Sequence, residues 1–239
     1  MKDCAVIISI FLVFTICLYV GIEKIESNLP VMNAENFSNS NCLIILDAGH
    51  GGEDSGAVAF DGTYEKDINL EICYNISLFF DIFAIDYISI RTDDISVGDI
   101  SLPTIRERKN SDILTRYKII NSYENSVLLS IHQNMFQVEK YFGTQVFYSA
   151  NVPESELIAK CIQDSVVSSL QPDNYRKIKS ASKNIYLLHK AQRPSVMVEC
   201  GFLSNFNELS LLKTNEYRAQ ISYSITKGIL NYLNQKRVI

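Results

Sequence analysis

From residue 43 onward the chain alternates short apolar runs with longer stretches in which apolar residues return every three or four positions. Leu43, Ile44, Ile45 and Leu46 form a run ended by Asp47 and a Gly-rich turn, the pattern of a buried strand in a parallel sheet. Residues 67–83 are ambiguous. Their even positions from Ile68 to Ile82 are apolar, as in a strand, while Ile68, Ile72, Ile76, Phe79 and Phe83 follow helical spacing. The segment exceeds ordinary strand length, which predicts a helix. Further strands are predicted at 87–91, 127–131, 144–148 and 195–198. Ser111 and Asp112 predict the cap of a helix reaching Asn121. Pro153, Glu154 and Glu156 open another, which stacks Leu157, Cys161 and Ser165 beside Ile158, Ile162 and Val166; a closing helix is predicted over 216–233. Strands alternating with helices predict an α/β fold, a twisted and mostly parallel sheet flanked by helices on both faces.

Residues 4–22 carry no charge, and at 1.5 Å rise per residue they span roughly 28 Å, close to the hydrocarbon core of a bilayer. They predict one N-terminal transmembrane helix. A cleaved signal peptide is the competing reading, but the following EKIESN offers no small-x-small cleavage site, and bulky Thr15 and Ile16 before Cys17 argue against lipidation. The expected organisation is a signal anchor over 1–23, a polar tether over 24–41 with Pro30 and five Asn, and one globular domain over 42–239. Lys2 on the short side of the span favours a short stub inside and the remaining chain on the extracytoplasmic side.

Composition narrows the function. With 47% hydrophobic and 21% charged residues the chain is neither disordered nor repetitive. Its 22 Lys and Arg against 27 Asp and Glu, a net charge of -5, argue against nucleic acid as a partner. Cys4 and Cys17 lie in the apolar run, and Cys42, Cys73, Cys161 and Cys200 are too widely spaced for a C-x-x-C motif, so four buried thiols are expected.

Two of the three histidines, His50 and His132, stand at the carboxyl ends of predicted strands, the edge where open α/β sheets gather ligands. Gly49, Gly51 and Gly52 permit a sharp turn around His50. Catalytic zinc takes three protein ligands. Asp47, Glu53, Asp54 and Glu65 are the candidates for the third, and spacing does not choose among them; Glu65 also reads as a first-turn acid of a helix capped by Thr63. Glu199 follows Val196, Met197 and Val198 at the same sheet edge and is the candidate general base. His189 reads as a surface or cleft residue. Arg106, Arg108, Lys109 and Arg116 form a basic cluster, either a solvated face or an anchor for acidic groups of a substrate.

Four segments, LDAGHGGEDSGA (46–57), YEKDINL (64–70), SIHQN (130–134) and VECGFLSN (198–205), resemble zinc-dependent N-acetylmuramoyl-L-alanine amidases of the AmiC-like class in order and approximate spacing, over about residues 42–234. TIRERKNSDILTRYKIIN (104–121) and GTQVFY (143–148) are further similar to a single-domain, membrane-anchored branch acting on the spore cortex. The resemblance implies His50, Glu65 and His132 as ligands of one Zn2+ and Glu199 as the catalytic acid and base. It implies peptidoglycan as substrate, cleaved between N-acetylmuramic acid and L-alanine, the membrane as anchor through residues 4–22, and room for an activating protein partner. Gln133 departs from the pattern, since many relatives carry a small residue there. Two rival readings are a zinc carboxypeptidase-like enzyme cutting within the stem peptide and an inactive wall-binding scaffold of the same fold.

Overall fold

The computed structural model describes residues 42–238; the apolar run at 4–22 and the tether lie outside the described residues. Strands β1 (Leu43–Ala48), β2 (Tyr87–Ser89), β3 (Ser126–Asn134), β4 (Gln145–Tyr148), β5 (Lys179–Ser180) and β6 (Ser195–Phe202) form one sheet in the order β2-β1-β3-β6-β4-β5. All neighbouring pairs are parallel except β4 with β6. The helices are α1 (Glu65–Ile82), α2 (Ile105–Asn121), α3 (Glu154–Ser169), α4 (Tyr186–His189), α5 (Phe206–Leu212) and α6 (Asn215–Val238). Among the described residues no helix is long and apolar enough to cross a membrane.

The two-residue side-chain period of the strands divides the core. Ile44, Leu46, Val127, Leu129, Ile131, Val196 and Val198 face α1, α3 and α6, which cover them with Ile72, Ile76, Phe80, Ile162, Ile225 and Tyr232, among others. Ile45, Leu128 and Met197 face the opposite way, under Ile120 of α2 and Leu187 and Leu188 of α4. Helices thus lie on both faces, as the alternation of patterns predicts. Cys42, Cys73, Cys161 and Cys200 are buried and unpaired.

Several boundaries differ from the sequence reading. Helix α2 begins at Ile105, not near Ser111: Thr104 accepts from the Glu107 amide, and the Glu107 side chain accepts from the Thr104 amide in a capping box. Its polar first turns carry no apolar period to reveal them. Ser111 and Asp112 instead receive loop amides, those of Asp99 and Val97. Helix α1 starts at Glu65 with Tyr64 at its N-cap position, so Thr63 does not cap it. Strands β3 and β6 run past their apolar cores to Asn134 and Phe202, which places His132 and Glu199 inside the strands, paired with each other in register. Strand β5 and helices α4 and α5 are too short to show a period.

Helix α6 crosses α3 at Gly228, where a Cβ would stand 2.5 Å from Ile162 Cα and 2.9 Å from its nitrogen. Both are backbone atoms and cannot swing aside. Gly228→Ala should therefore destabilise the domain by about 1–3 kcal/mol through overpacking, outweighing the ~1 kcal/mol helix-propensity gain. Urea unfolding of the two proteins measures the difference, and an unchanged or raised midpoint would mean the helices do not meet this closely.

Candidate active site

The carboxyl end of β1 enters the turn at Gly49, with His50 at φ 63°, a left-handed conformation rarely adopted by residues with a side chain. Two arginines hold it there. Arg116 of α2 reaches Asp47, the Ala48 carbonyl at 3.0 Å and the His50 carbonyl at 2.7 Å. Arg91 donates to the Ala48 and Gly49 carbonyls at 2.8 and 3.1 Å. Burial opposes ionisation of Asp47, but Arg116 and the Ser130 hydroxyl, which donates at 2.7 Å, outweigh it and hold the carboxyl below its usual range. A Cβ on Gly49 would sit 2.2 Å from the His132 ring, so only glycine lets β1 pass this close to that imidazole.

The turn aims His50 at the first residue of α1. His50 Nε2 lies 3.3 Å from Glu65 Oε1, and His132 Nδ1 lies 3.0 Å from the same oxygen. One donor atom from each of the three residues falls within 4.8 Å of the others, a spacing that can hold a metal ion. Glu65 is fixed by the chain as well: its Oε2 accepts from the Ala57 amide at 2.8 Å and its Oε1 from the Gln133 amide at 3.1 Å. Asn69 adds a longer contact at 3.4 Å and is itself held by the Gln133 side chain. Burial works against the charge on Glu65, yet the two imidazoles keep its carboxyl far below the ordinary range.

The other three candidates for the third position are engaged elsewhere. Asp47 pairs with Arg116, and Glu53 receives the fork of Arg108. Asp54 accepts from His50 Nδ1 at 2.8 Å and pairs with Lys109 at 2.7 Å. That carboxylate fixes the orientation of the imidazole, as outer partners of metal-binding histidines commonly do. Burial lowers the His50 pKa, but Asp54 and Glu65 override it and raise it to about 9. Three of the four members of the basic cluster therefore grip the acids of the 47–54 turn, and Arg106 is exposed. The complementary charges of GHGGED and RERK were visible in the sequence, but nothing there showed that they meet. His189 ends α4 outside the converging set; its carbonyl accepts from Asn151.

Glu199 pairs in register with His132 on the neighbouring strand. Its Oε2 is buried without a hydrogen-bond partner, and burial pushes its carboxyl up to about 7 against the pull of His132. A cleft of about 690 Å³ is lined by His50, His132, Asp54, Lys109, Tyr186 and Met197, among others. Three residues with the spacing of a metal site, two of them on a cleft, next to a buried carboxylate oxygen without a partner have the parts that hydrolysis requires.

A family model described as N-acetylmuramoyl-L-alanine amidase matches residues 44–231. The germination-specific N-acetylmuramoyl-L-alanine amidase of Bacillus subtilis is 36% identical over 194 residues, covering 81% of each chain. The CwlD amidase of Clostridioides difficile, solved in complex with the GerS lipoprotein, superposes with a TM-score of 0.77 at 39% identity, covering 80% of this chain and 98% of its own. An N-acetylmuramoyl-L-alanine amidase of Clostridium difficile 630 gives 0.69 at 26% identity, covering 82% and 100%.

Breaking the buried pair under the turn should cost far more than removing a neighbouring surface charge. Arg116→Met leaves Asp47 buried and uncompensated, an expected loss of about 3–5 kcal/mol, whereas Arg106→Met should fall within about 0.5 kcal/mol of the parent. Chemical denaturation of both variants tests this, and equal stabilities would remove Arg116 from its bracing role.

Proposed function

The chain belongs to the N-acetylmuramoyl-L-alanine amidase family, and from that premise we propose that it uses zinc to hydrolyse the amide joining N-acetylmuramic acid to L-alanine in peptidoglycan. The observation that carries this reading is the convergence of His50, Glu65 and His132 beside the unpartnered oxygen of Glu199. Two imidazoles and one carboxylate are a donor set of catalytic zinc sites. The site also favours positive charge: Glu65 stays ionised, and His50 holds a proton up to about 9 when its neighbours alone satisfy it. His50, Glu65 and His132 would hold one ion. When bound, zinc supplies Lewis acidity that lowers the pKa of water to about 7 and polarises the scissile carbonyl.

The remaining work falls to the chain. Glu199 takes the proton of the water that adds to the lactyl carbonyl carbon, then delivers it to the alanine nitrogen as the C–N bond breaks. Its free oxygen suits that role, because no protein donor competes for it. Asp54 and Lys109 keep the His50 ring in place, and the Ala57 and Gln133 amides do the same for Glu65.

The likeness to the B. subtilis germination-specific enzyme supports a role on spore cortex peptidoglycan, and the C. difficile complex supports a lipoprotein as the partner of this chain. The uncharged run at 4–22 supports membrane anchoring with the catalytic domain on the extracytoplasmic side.

Mass spectrometry of products from purified peptidoglycan tests the reaction. An amidase releases stem peptides with a free L-alanine amino group, whereas alanine left on the sugar would mark a peptidase. Glu199→Gln keeps the shape of the side chain and removes the base, so turnover should fall about 10²- to 10⁴-fold with zinc content unchanged. Glu65→Ala should lose tight zinc binding. Metal analysis beside single-turnover rates separates the two roles, and loss of zinc from Glu199→Gln would make Glu199 a ligand.

A further inference from the structure

The catalytic pair continues sideways across the sheet. Gln145 of β4 is the antiparallel partner of Glu199, so His132, Glu199 and Gln145 form one lateral row over three adjacent strands. The row ends on Arg176. Its Nη1 donates to Gln145 Oε1 at 2.8 Å, its Nε donates to the Phe142 carbonyl at 2.8 Å, and its guanidinium lies 4.5 Å from the centre of the Phe202 ring. The head group is thus fixed in plane and direction, while Nη2 makes no hydrogen bond among the described residues.

Arg176 differs from the cations around the metal triad, of which Arg91 is fully taken up by the Ala48, Gly49, Lys66 and Asp93 carbonyls. Lys66, Arg108, Lys109 and Arg116 are each paired with a carboxylate. No carboxylate among the described residues lies within ion-pair distance of Arg176. Glu208 is close enough to feel its charge, but both Glu208 oxygens are taken by the Gly143 and Phe202 amides. The guanidinium opens into a second cleft of about 580 Å³, whose lining includes Lys140, Tyr141, Asp173 and Tyr175. A rigidly held, unpaired guanidinium with donors left over is suited to a planar carboxylate.

We propose that Arg176 is the binding residue for a carboxylate of the stem peptide, on the residue that follows the alanine. This rests on the amidase reading of the site. One strand spacing of about 4.8 Å separates Glu199 from Gln145, and the 2.8 Å hydrogen bond from Arg176 to Gln145 brings the sum to roughly 8 Å, to which the length of the Gln145 side chain is added. Two extended residues leaving the scissile bond reach about 7 Å, and a carboxylate–guanidinium hydrogen bond covers about another 3 Å. The peptide would then run from the metal triad over Glu199 toward β4, leaving the sugar on the side of the cleft lined by Tyr186 and Met197.

Two muramoyl tripeptides decide the matter, identical except that the α-carboxylate of the second residue, glutamate, is free in one and a carboxamide in the other. The parent enzyme should favour the free acid by about tenfold or more in kcat/KM, expressed in KM. Arg176→Gln should abolish that preference by raising KM for the free acid toward that of the carboxamide, and Arg176→Lys should keep part of it. A parent enzyme that treats the two substrates alike would overturn the proposal, as would an Arg176→Gln variant that loses activity equally on both. Calorimetric binding of the same tripeptides to Glu199→Gln keeps the two questions apart. Arg176-dependent preference in binding without any cleavage would sink the amidase reading and leave the subsite standing; cleavage at the alanine bond without preference would do the reverse.

Discussion

The ion pair between Asp47 and Arg116 is buried on both sides, with exposures of 1% and 3%, and its partners reach from β1 through the sheet edge into α2. Removing two charges from water is costly, and such a pair is favourable only when its remaining donors and acceptors are also met. Here they are. Ser130 serves the second oxygen of Asp47, and the Ala48 and His50 carbonyls and Asp112 serve the guanidinium. The same bonds fasten the turn that holds His50 in a left-handed conformation, whose strain of about 1–3 kcal/mol persists only where the surroundings overdetermine it. Without this brace the turn under the imidazole is held only by Arg91 and by the contact of the ring with Asp54.

The sheet supplies the rest by register. Parallel pairing of β3 with β6 sets His132 directly beside Glu199, and the antiparallel β4 carries the row on to Gln145. Glu65 comes from a helix instead, at the first turn of α1, where the helix dipole favours a negative charge. Its oxygens are already met by the Ala57 and Gln133 amides, so the carboxylate position is a property of the fold.

Much of this was legible in the chain. The apolar runs at 43–46, 127–131 and 195–198 announced the three central strands, and the strand-end histidines pointed to one edge. The failures have a common cause. The strand end at 132–134, Glu199 at the interruption of β6 and the first turns of α2 carry polar residues for site or capping reasons, and hydrophobic periodicity cannot register them. The choice of Glu65 over Asp47, Glu53 and Asp54 was likewise closed to spacing, because it depends on which acids α2 claims with Arg108, Lys109 and Arg116. The motif resemblance points to Glu65, and the fold brings that residue together with His50 and His132. Arg176 left no trace in the sequence, since its neighbours in the fold, Gln145 and Phe202, are distant along the chain.

The lateral row has a consequence for the newly made chain. His50 and Glu65 emerge early in synthesis, yet β3 gains its neighbour on the side of the base only when β6 has been made, and β4 then pairs backward onto that late strand. Helix α6, the last element, must still close over α1 and α3. An unfinished polypeptide therefore carries His50, Glu65 and His132 before Glu199 is made, and the four come together only when the last strands and α6 are in place. For a member of the N-acetylmuramoyl-L-alanine amidase family, the order of the strands acts as a delay.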